Sequence, residues 1–198
     1  AVQQEPRGTG DAVRAGMQHL EGFAGDVVVL VGDAPLVDGV FLQGLLEAHR
    51  ERAAAVTVAS ALLDEPGHYG RVVRAPDGAL RRIVEARDAD PRESAIAEVN
   101  TGFYVLASER LRDLLPRLEP SNVQGEFYLT DVVHLAIADG LTVAAHVASD
   151  AEVMLAVNSR VELAEVNAIM RGRILRRLML AGVTVVDPEA KSLHSVLM

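Results

Sequence analysis

The sequence predicts an α/β fold. Apolar runs of strand length alternate with segments whose apolar residues recur at helical spacing, as an α/β chain reads. The purest apolar run, 27–31, is β-branched and unbroken, which is the pattern of a strand covered on both faces. At 198 residues with 49% hydrophobic content and no cysteine, the chain is long enough for one real core that needs no disulfide.

The elements follow in order. Residues 10–20 follow a glycine-flanked turn and read as a short helix. The strand over 26–31 is stopped by Gly32-Asp33-Ala34-Pro35. Leu42, Leu45, Leu46 and His49 fall on one helical face, which predicts a helix over 38–50. A second strand is expected over 54–62. Asp64-Glu65-Pro66-Gly67 turns the chain toward Tyr69-Gly70-Arg71, and Val72-Val73 and residues 80–84 flank Pro76-Asp77-Gly78, a hairpin signal. Residues 86–98 are polar and read as a loop, and 99–106 read as a strand. Ser108 is placed to cap a helix whose Leu111, Leu114, Leu115 and Leu118 form one stripe, ending near Pro120. Thr130 or Asp131 can cap another that reaches Asp139-Gly140, and 142–147 alternates as a strand. Ser159 opens the longest helix. It has capping-box spacing to Glu162, and Leu163, Val166, Met170, Ile174 and Leu178 give it an apolar stripe. Arg171, Arg173, Arg176 and Arg177 in its later half suit the helix dipole and read as a solvated face or as an anion or partner site. Residues 183–186 are expected to form a last strand.

Composition removes several classes of function. Lys and Arg number 19 against 28 Asp and Glu, a net charge of −9, which argues against a nucleic-acid binder because phosphate contacts need clustered cations. A local basic pocket for a small phosphorylated ligand stays compatible with that charge. The longest apolar run falls far short of the ~18 residues of a membrane span. Residues 1–6 lack the basic start and apolar stretch of a signal peptide. Together with the missing cysteine, this leads to the expectation of a cytoplasmic protein with no membrane partner. The histidines have no pair at zinc-binding spacing. There is no Gly-x-Ser-x-Gly elbow, no dinucleotide fingerprint and no phosphate loop. No residue stands out as a catalytic acid, base or nucleophile.

What remains is a set of short polar motifs, each with two readings. Asp33 follows an apolar strand, where open α/β sheets bind ligands, and its carboxylate suits Mg²⁺ on a substrate phosphate; equally, it could simply form the turn before Ala34-Pro35. Gly8-Thr9-Gly10 ahead of a helix could let backbone N–H groups approach a base or phosphate, or be an ordinary turn. Asn100-Thr101-Gly102 and Glu85 could hydrogen-bond sugar hydroxyls or merely finish strands. Asn158 could be a ligand or a helix-entry residue.

The order of the motifs is more informative than any one of them. Gly8-Thr9-Gly10, Gly32-Asp33-Ala34-Pro35-Leu36, Gly67-His68-Tyr69-Gly70-Arg71, Ile83-Val84-Glu85, Glu98-Val99-Asn100-Thr101-Gly102, Gln124-Gly125-Glu126-Phe127-Tyr128-Leu129-Thr130-Asp131 and Val157-Asn158-Ser159-Arg160 occur in this sequence. The series resembles the uridylyltransferase domain of the bacterial bifunctional N-acetylglucosamine-1-phosphate uridylyltransferase/glucosamine-1-phosphate N-acetyltransferase, from Val2 to about Pro188.

The resemblance implies a Rossmann-like nucleotidyltransferase domain over 1–188 with a mixed, mainly parallel sheet, lacking the family's first strand and glycine-rich loop. Residues 189–198 would be a tail where the family's left-handed β-helix acetyltransferase domain follows. It implies an enzyme that joins UTP to N-acetylglucosamine 1-phosphate, giving UDP-N-acetylglucosamine and pyrophosphate for cell-envelope precursors, with a homotrimeric parent that also acetylates glucosamine 1-phosphate. By the same resemblance, Asp33 and Asn158 would hold Mg²⁺. Gln3, Gly8 and Thr9 would contact the uracil side, Gly70, Glu85 and Asn100 would surround the N-acetylglucosamine, and Val31 and Gly32 would line the site beside Asp33. The alternatives are a truncated sugar-nucleotide binder without turnover and a nucleotidyltransferase for another sugar.

Overall fold

Strands and helices alternate along the computed structural model, which describes residues 1–3 and 5–189. Two units emerge: Ala1–Val31 with Asp38–Ala151, and Gly32–Val37 with the described residues from Glu152 on. The expected tail at 189–198 lies, apart from Glu189, outside the described residues.

In the first unit the elements are α1 (Thr9–Met17), β1 (Asp26–Val29), α2 (Gly39–Glu51), β2 (Val56–Leu62), β3 (Arg71–Arg74), β4 (Leu80–Val84), α3 (Pro91–Ser94), β5 (Glu98–Ala107), α4 (Ser108–Leu114), α5 (Asp131–Ala138) and β6 (Val143–Val147). The long β5 organises the sheet. Its C-terminal half lies between β1, with Val28 opposite Val105, and β2, with Val58 opposite Tyr104. Its start meets β3 at Arg71–Val99, β4 closes a hairpin on β3, and β6 lies beyond β2.

The sheet is mixed, as expected, but its ladders are not mainly parallel. Among the described strands only β2 and β6 pair in parallel; β5 runs antiparallel to β1, β2 and β3. Strands β1, β2, β3 and β6 therefore share one direction, and the reversed β5 among them turns most of their pairings antiparallel. The tight Pro76-Asp77-Gly78 return can join only antiparallel neighbours, which reverses β4 as well.

The period-2 alternation of β5 feeds two cores. On one face Phe103 meets Phe41 of α2 edge-on, with ring centroids 5.7 Å apart. On the other, Val56, Val58, Tyr104 and Leu106 pack with Leu111 and Leu114 of α4 and Val132 and Val133 of α5. Each such side chain contributes roughly 1.5–3 kcal/mol on burial. Strand β1 is half-buried, not covered on both faces, and Val28 and Leu30 are exposed.

Several local expectations change because side chains find distant partners. Residues 86–98 are not all loop: Asp90 and Glu93 form a reciprocal capping box around α3, with Pro91 at its first position. Ser108 does not cap α4 but lies within its first turn, where its hydroxyl accepts from Gly25 N and donates to Phe23 O. Pro116, which has no N–H, turns the end of that helix into a 3₁₀ turn, Leu115–Arg117. Thr130 occupies the N-cap position of α5 without capping it, because its hydroxyl donates to Glu85.

In the second unit, α6 spans Arg160–Leu180. Ser159 Oγ accepts from Glu162 N as expected, but the Glu162 carboxylate takes the N–H of Asn158 instead of that of Ser159. Its buried residues are Val166 and Leu175, and the half-buried Arg173 donates from its guanidinium to Leu36 O and Glu152. Leu163 and Ile174 of the expected stripe are exposed. Residues 183–186 form no strand: the Val183 N–H returns to Leu178 O to close α6, and no described strand pairs with the segment.

A buried histidine makes part of the first unit's stability depend on pH. His49 on α2 is 3% exposed, with Nδ1 2.9 Å from Thr57 Oγ1 and Nε2 3.6 Å from Asp26 Oδ1. Burial holds its pKa below 6.5; nearby Asp26 opposes that shift and Arg50 adds to it. The unfolded chain therefore binds the proton more readily, and stability present above pH 6.5 is lost as the pH falls toward and through the folded value. Thermal melts from pH 7.5 to 5 should show this loss, and His49→Gln should flatten that part of the slope.

Candidate functional site

The residues singled out in the sequence gather in three places. The first lies where β4, β5 and the turn into β3 meet. Asn100 N donates to Gly70 O at 2.8 Å. A β-carbon placed on Gly70 would lie 3.3 Å from Glu85 Oε2, so that carboxylate stands directly against the Gly70 backbone. Val31 closes another side, since a β-carbon on Gly102 would lie 2.8 Å from Val31 Cγ1. Gly102 has φ +81°, a conformation and a space that admit only glycine without strain. Val31, Gly70, Glu85 and Asn100, distant in sequence, are thus linked around one region.

Thr101, the remaining member of that motif, faces the other side of β5 and donates to Ala59 O at 2.9 Å. Its role is structural.

Glu85 is the chemically distinctive group here. Its Oε1 accepts from the Thr130 hydroxyl at 3.2 Å. Burial raises its pKa above 4.5, Thr130 works against that shift, and Asp88 and Asp131 add to it. Glu85 also lines a cavity of about 230 Å³ together with Asp88, Asn122, Tyr128 and Thr130. Tyr128 belongs to one of the seven motifs but was given no site role from the sequence. Its hydroxyl is buried, has no hydrogen-bond partner among the described residues, and its residue lines this cavity. A buried hydroxyl without a partner costs roughly 1–3 kcal/mol, which a ligand oxygen or N–H could recover. The available signal was its place in the same quoted segment as Thr130, two residues before it.

The second place is the N-terminal segment. Gln3 Nε2 donates to Gly8 O at 3.3 Å and to Asp11 Oδ2 at 2.9 Å, and Gln3 borders a recess of about 370 Å³ with Glu5, Arg7 and Asp11. Gly8 and Thr9 turn toward residues 126–129 instead of into that recess. Phe127 N donates to Arg7 O, Gly10 N donates to Phe127 O, and Leu129 N donates to Thr9 Oγ1 at 3.0 Å.

The third place belongs to the second unit. Val157 N donates to Asp33 O at 2.8 Å, which brings the backbone of Asp33 beside the residue preceding Asn158. Gly32 and Asp33 are exposed. Asn158 is held at the mouth of α6 by its N–H to Glu162 Oε2 at 2.8 Å. Neither the Asp33 carboxylate nor the Asn158 carboxamide is engaged in a hydrogen bond or ion pair among the described residues. A carboxylate and a neutral amide oxygen are both hard donors, a chemistry that suits Mg²⁺, an ion commonly held by one or two protein oxygens with the rest from water and phosphate. No group of three or more His, Asp or Glu side chains among the described residues could form an all-protein metal cage. No described helix is long and apolar enough to cross a membrane.

Comparison with known proteins gives the family of the chain. The chain is 47% identical over 189 residues to the bifunctional protein GlmU of Trichlorobacter lovleyi, a match covering 96% of this chain and 41% of that protein. It is 45% identical over 188 residues to bifunctional protein GlmU of Corynebacterium efficiens, covering 95% and 39%, and 45% identical over 190 residues to that of Geobacter metallireducens, covering 96% and 40%. The chain spans about two fifths of the length of the curated relatives it matches. These relatives bear out the resemblance drawn from the seven motifs. The family model described as nucleotidyl transferase matches residues 1–153, and the chain belongs to that family.

Proposed function

We propose that this chain carries the sugar-binding and nucleotide-binding parts of a uridylyltransferase, which transfers a uridylyl group from UTP to N-acetylglucosamine 1-phosphate and releases pyrophosphate. The observation that supports it most is the meeting of Gly70, Glu85 and Asn100, with Val31 packed against the neighbouring Gly102. A backbone group, a carboxyl and a carboxamide offer both donors and acceptors without a fixed positive charge. That combination suits hydroxyls and an acetamido group rather than a second phosphate.

In the reaction an oxygen of the sugar phosphate forms a bond to the α-phosphorus of UTP as the bond to pyrophosphate breaks. Both reactants are anionic, so the protein's task is to position them and to screen their charge. Asp33 and Asn158 would hold Mg²⁺, which when bound supplies positive charge to the phosphates. Glu85, Asn100 and the Gly70 backbone would fix the sugar, and the N-terminal segment with Gln3, Gly8 and Thr9 would border the base. No covalent enzyme intermediate is needed, so the absence of cysteine carries no penalty.

Isothermal titration with UDP-N-acetylglucosamine, with and without Mg²⁺, tests the reading. Asp33→Ala should abolish the gain in affinity that Mg²⁺ confers; even outer-shell partners of metal ligands are worth roughly 10–100-fold. An equal Mg²⁺-dependent gain in both proteins would remove Asp33 from the metal assignment. A pyrophosphate-release assay with UTP and N-acetylglucosamine 1-phosphate then separates an enzyme from a binder without turnover.

A further inference from the structure

Strand β5 carries a feature that the sugar-site assignment does not use. Opposite the two residues from Val58 to Ser60 on β2, β5 advances by four, from Tyr104 back to Asn100. The extra length is a bulge built around Gly102, whose positive φ no other residue adopts as readily. The bulge folds the strand so that Gly102 N donates to Asn100 Oδ1 at 3.1 Å, while Asn100 Nδ2 donates to the Tyr104 hydroxyl at 2.8 Å.

These two bonds together determine the orientation of the Asn100 amide. A carboxamide has chemically different ends, and either bond alone leaves room for rotation. A flipped amide would set its N–H groups against the Gly102 N–H, so that backbone donor dictates which end is the oxygen, while the Tyr104 hydroxyl anchors the nitrogen end against rotation. Tyr104 is only 2% exposed, wedged among the apolar side chains that pack against α4 and α5, so its hydroxyl cannot move aside. Asn100 itself keeps 9% exposure and sits one backbone hydrogen bond from Gly70.

We propose that Tyr104 is a positioning residue: it locks the Asn100 carboxamide so that the remaining N–H is presented as a donor to an acceptor oxygen on the bound sugar. This rests on the sugar-site reading above and adds to it the polarity of the contact, which the Gly102 N–H sets, and the residue that holds the amide in place. Asn100 thereby complements Glu85, whose carboxylate accepts when ionised, so the two discriminate donor from acceptor groups around one ring. Tyr104 touches no ligand in this scheme and acts only through Asn100.

Tyr104→Phe removes the acceptor and keeps the ring that fills the core. Titration uses two probes, UDP-N-acetylglucosamine and UDP, which differ by the sugar alone. The expected result is about fivefold weaker binding of UDP-N-acetylglucosamine, as for one lost neutral hydrogen bond, with UDP binding unchanged. Unchanged affinity for both probes, or an equal loss for both, overturns the proposal. A wild-type protein that binds both probes equally well would instead overturn the sugar-site reading itself. A measurement on the wild type covers the case of a variant that does not fold. In NMR the Asn100 side-chain amide should give two resolved protons, the one bonded to Tyr104 exchanging slowly, and a pair with the shifts and exchange of a solvent-exposed amide overturns the lock.

Discussion

Gly8→Ala is expected to destabilise the protein by about 3 kcal/mol or more, the sum of backbone strain and a steric clash. Gly8 has φ +105°, and a β-carbon there would lie 2.7 Å from Phe127 O and 2.9 Å from Phe127 N. Both contacts are backbone, so neither can be relieved by a rotamer change. Residues 7–10 and 127–129 would have to separate, and with them the bonds from Phe127 N to Arg7 O and from Leu129 N to Thr9 Oγ1. Since a domain of this size is stable by only ~5–15 kcal/mol, the loss should appear as a large fall in the urea midpoint. Gly16→Ala is the matched control: it lies inside α1 with nothing within 4 Å of the added carbon. That change should stabilise by roughly 0.5–1 kcal/mol through chain entropy alone. A Gly8→Ala protein as stable as wild type would mean that the two segments do not approach as closely as described.

The same interlock explains what could and could not be read from the sequence. Local signals carried the hairpin at Pro76-Asp77-Gly78, the helix entry at Ser159 and the strand that bears Asn100, because turn chemistry, capping and periodicity act within a few residues. The partner of Thr9 is Leu129, 120 residues away, and nothing in a glycine-flanked threonine says whether its oxygen will face a base or a backbone N–H. Likewise Ser108 and Thr130 look like caps by type and position, yet each spends its hydroxyl on a tertiary partner. Motif order placed Gly70, Glu85 and Asn100 in one site, and the fold brings them together through β3, β4 and β5. Tyr104 and Tyr128 escaped because a tyrosine within an apolar run reads as core, and only its surroundings show whether its hydroxyl has work to do. The direction of β5 was equally hidden: reversing one strand inverts the sense of its ladders without altering its alternation.

Glu85→Gln is expected to separate stability from binding. The wild-type carboxyl is held in a region where burial disfavours its charge, so its folded pKa lies above 4.5, with Asp88 and Asp131 adding to the shift. The sign follows from proton counting. Between 4.5 and the raised folded value the native state holds the proton that the unfolded chain has released. The stability Glu85 contributes is therefore fully present below pH 4.5 and is lost as the pH rises through the folded value. Glutamine carries no such dependence and keeps an oxygen to accept from Thr130, so the variant should melt higher than wild type at neutral pH. The difference should shrink toward zero at pH 4 and below. Binding should move the other way. An ionised carboxylate accepting from sugar hydroxyls contributes roughly 1.5–3 kcal/mol, so affinity for UDP-N-acetylglucosamine should fall about tenfold to a hundredfold at neutral pH. UDP, which lacks the sugar, should bind both proteins alike. Parallel stability profiles in the two proteins would show that Glu85 is not desolvated, and a selective loss of UDP binding would move Glu85 from the sugar to the nucleotide. A protein that gains stability by losing its carboxylate, and loses its ligand with it, is what a charge retained for recognition at the expense of the fold would produce.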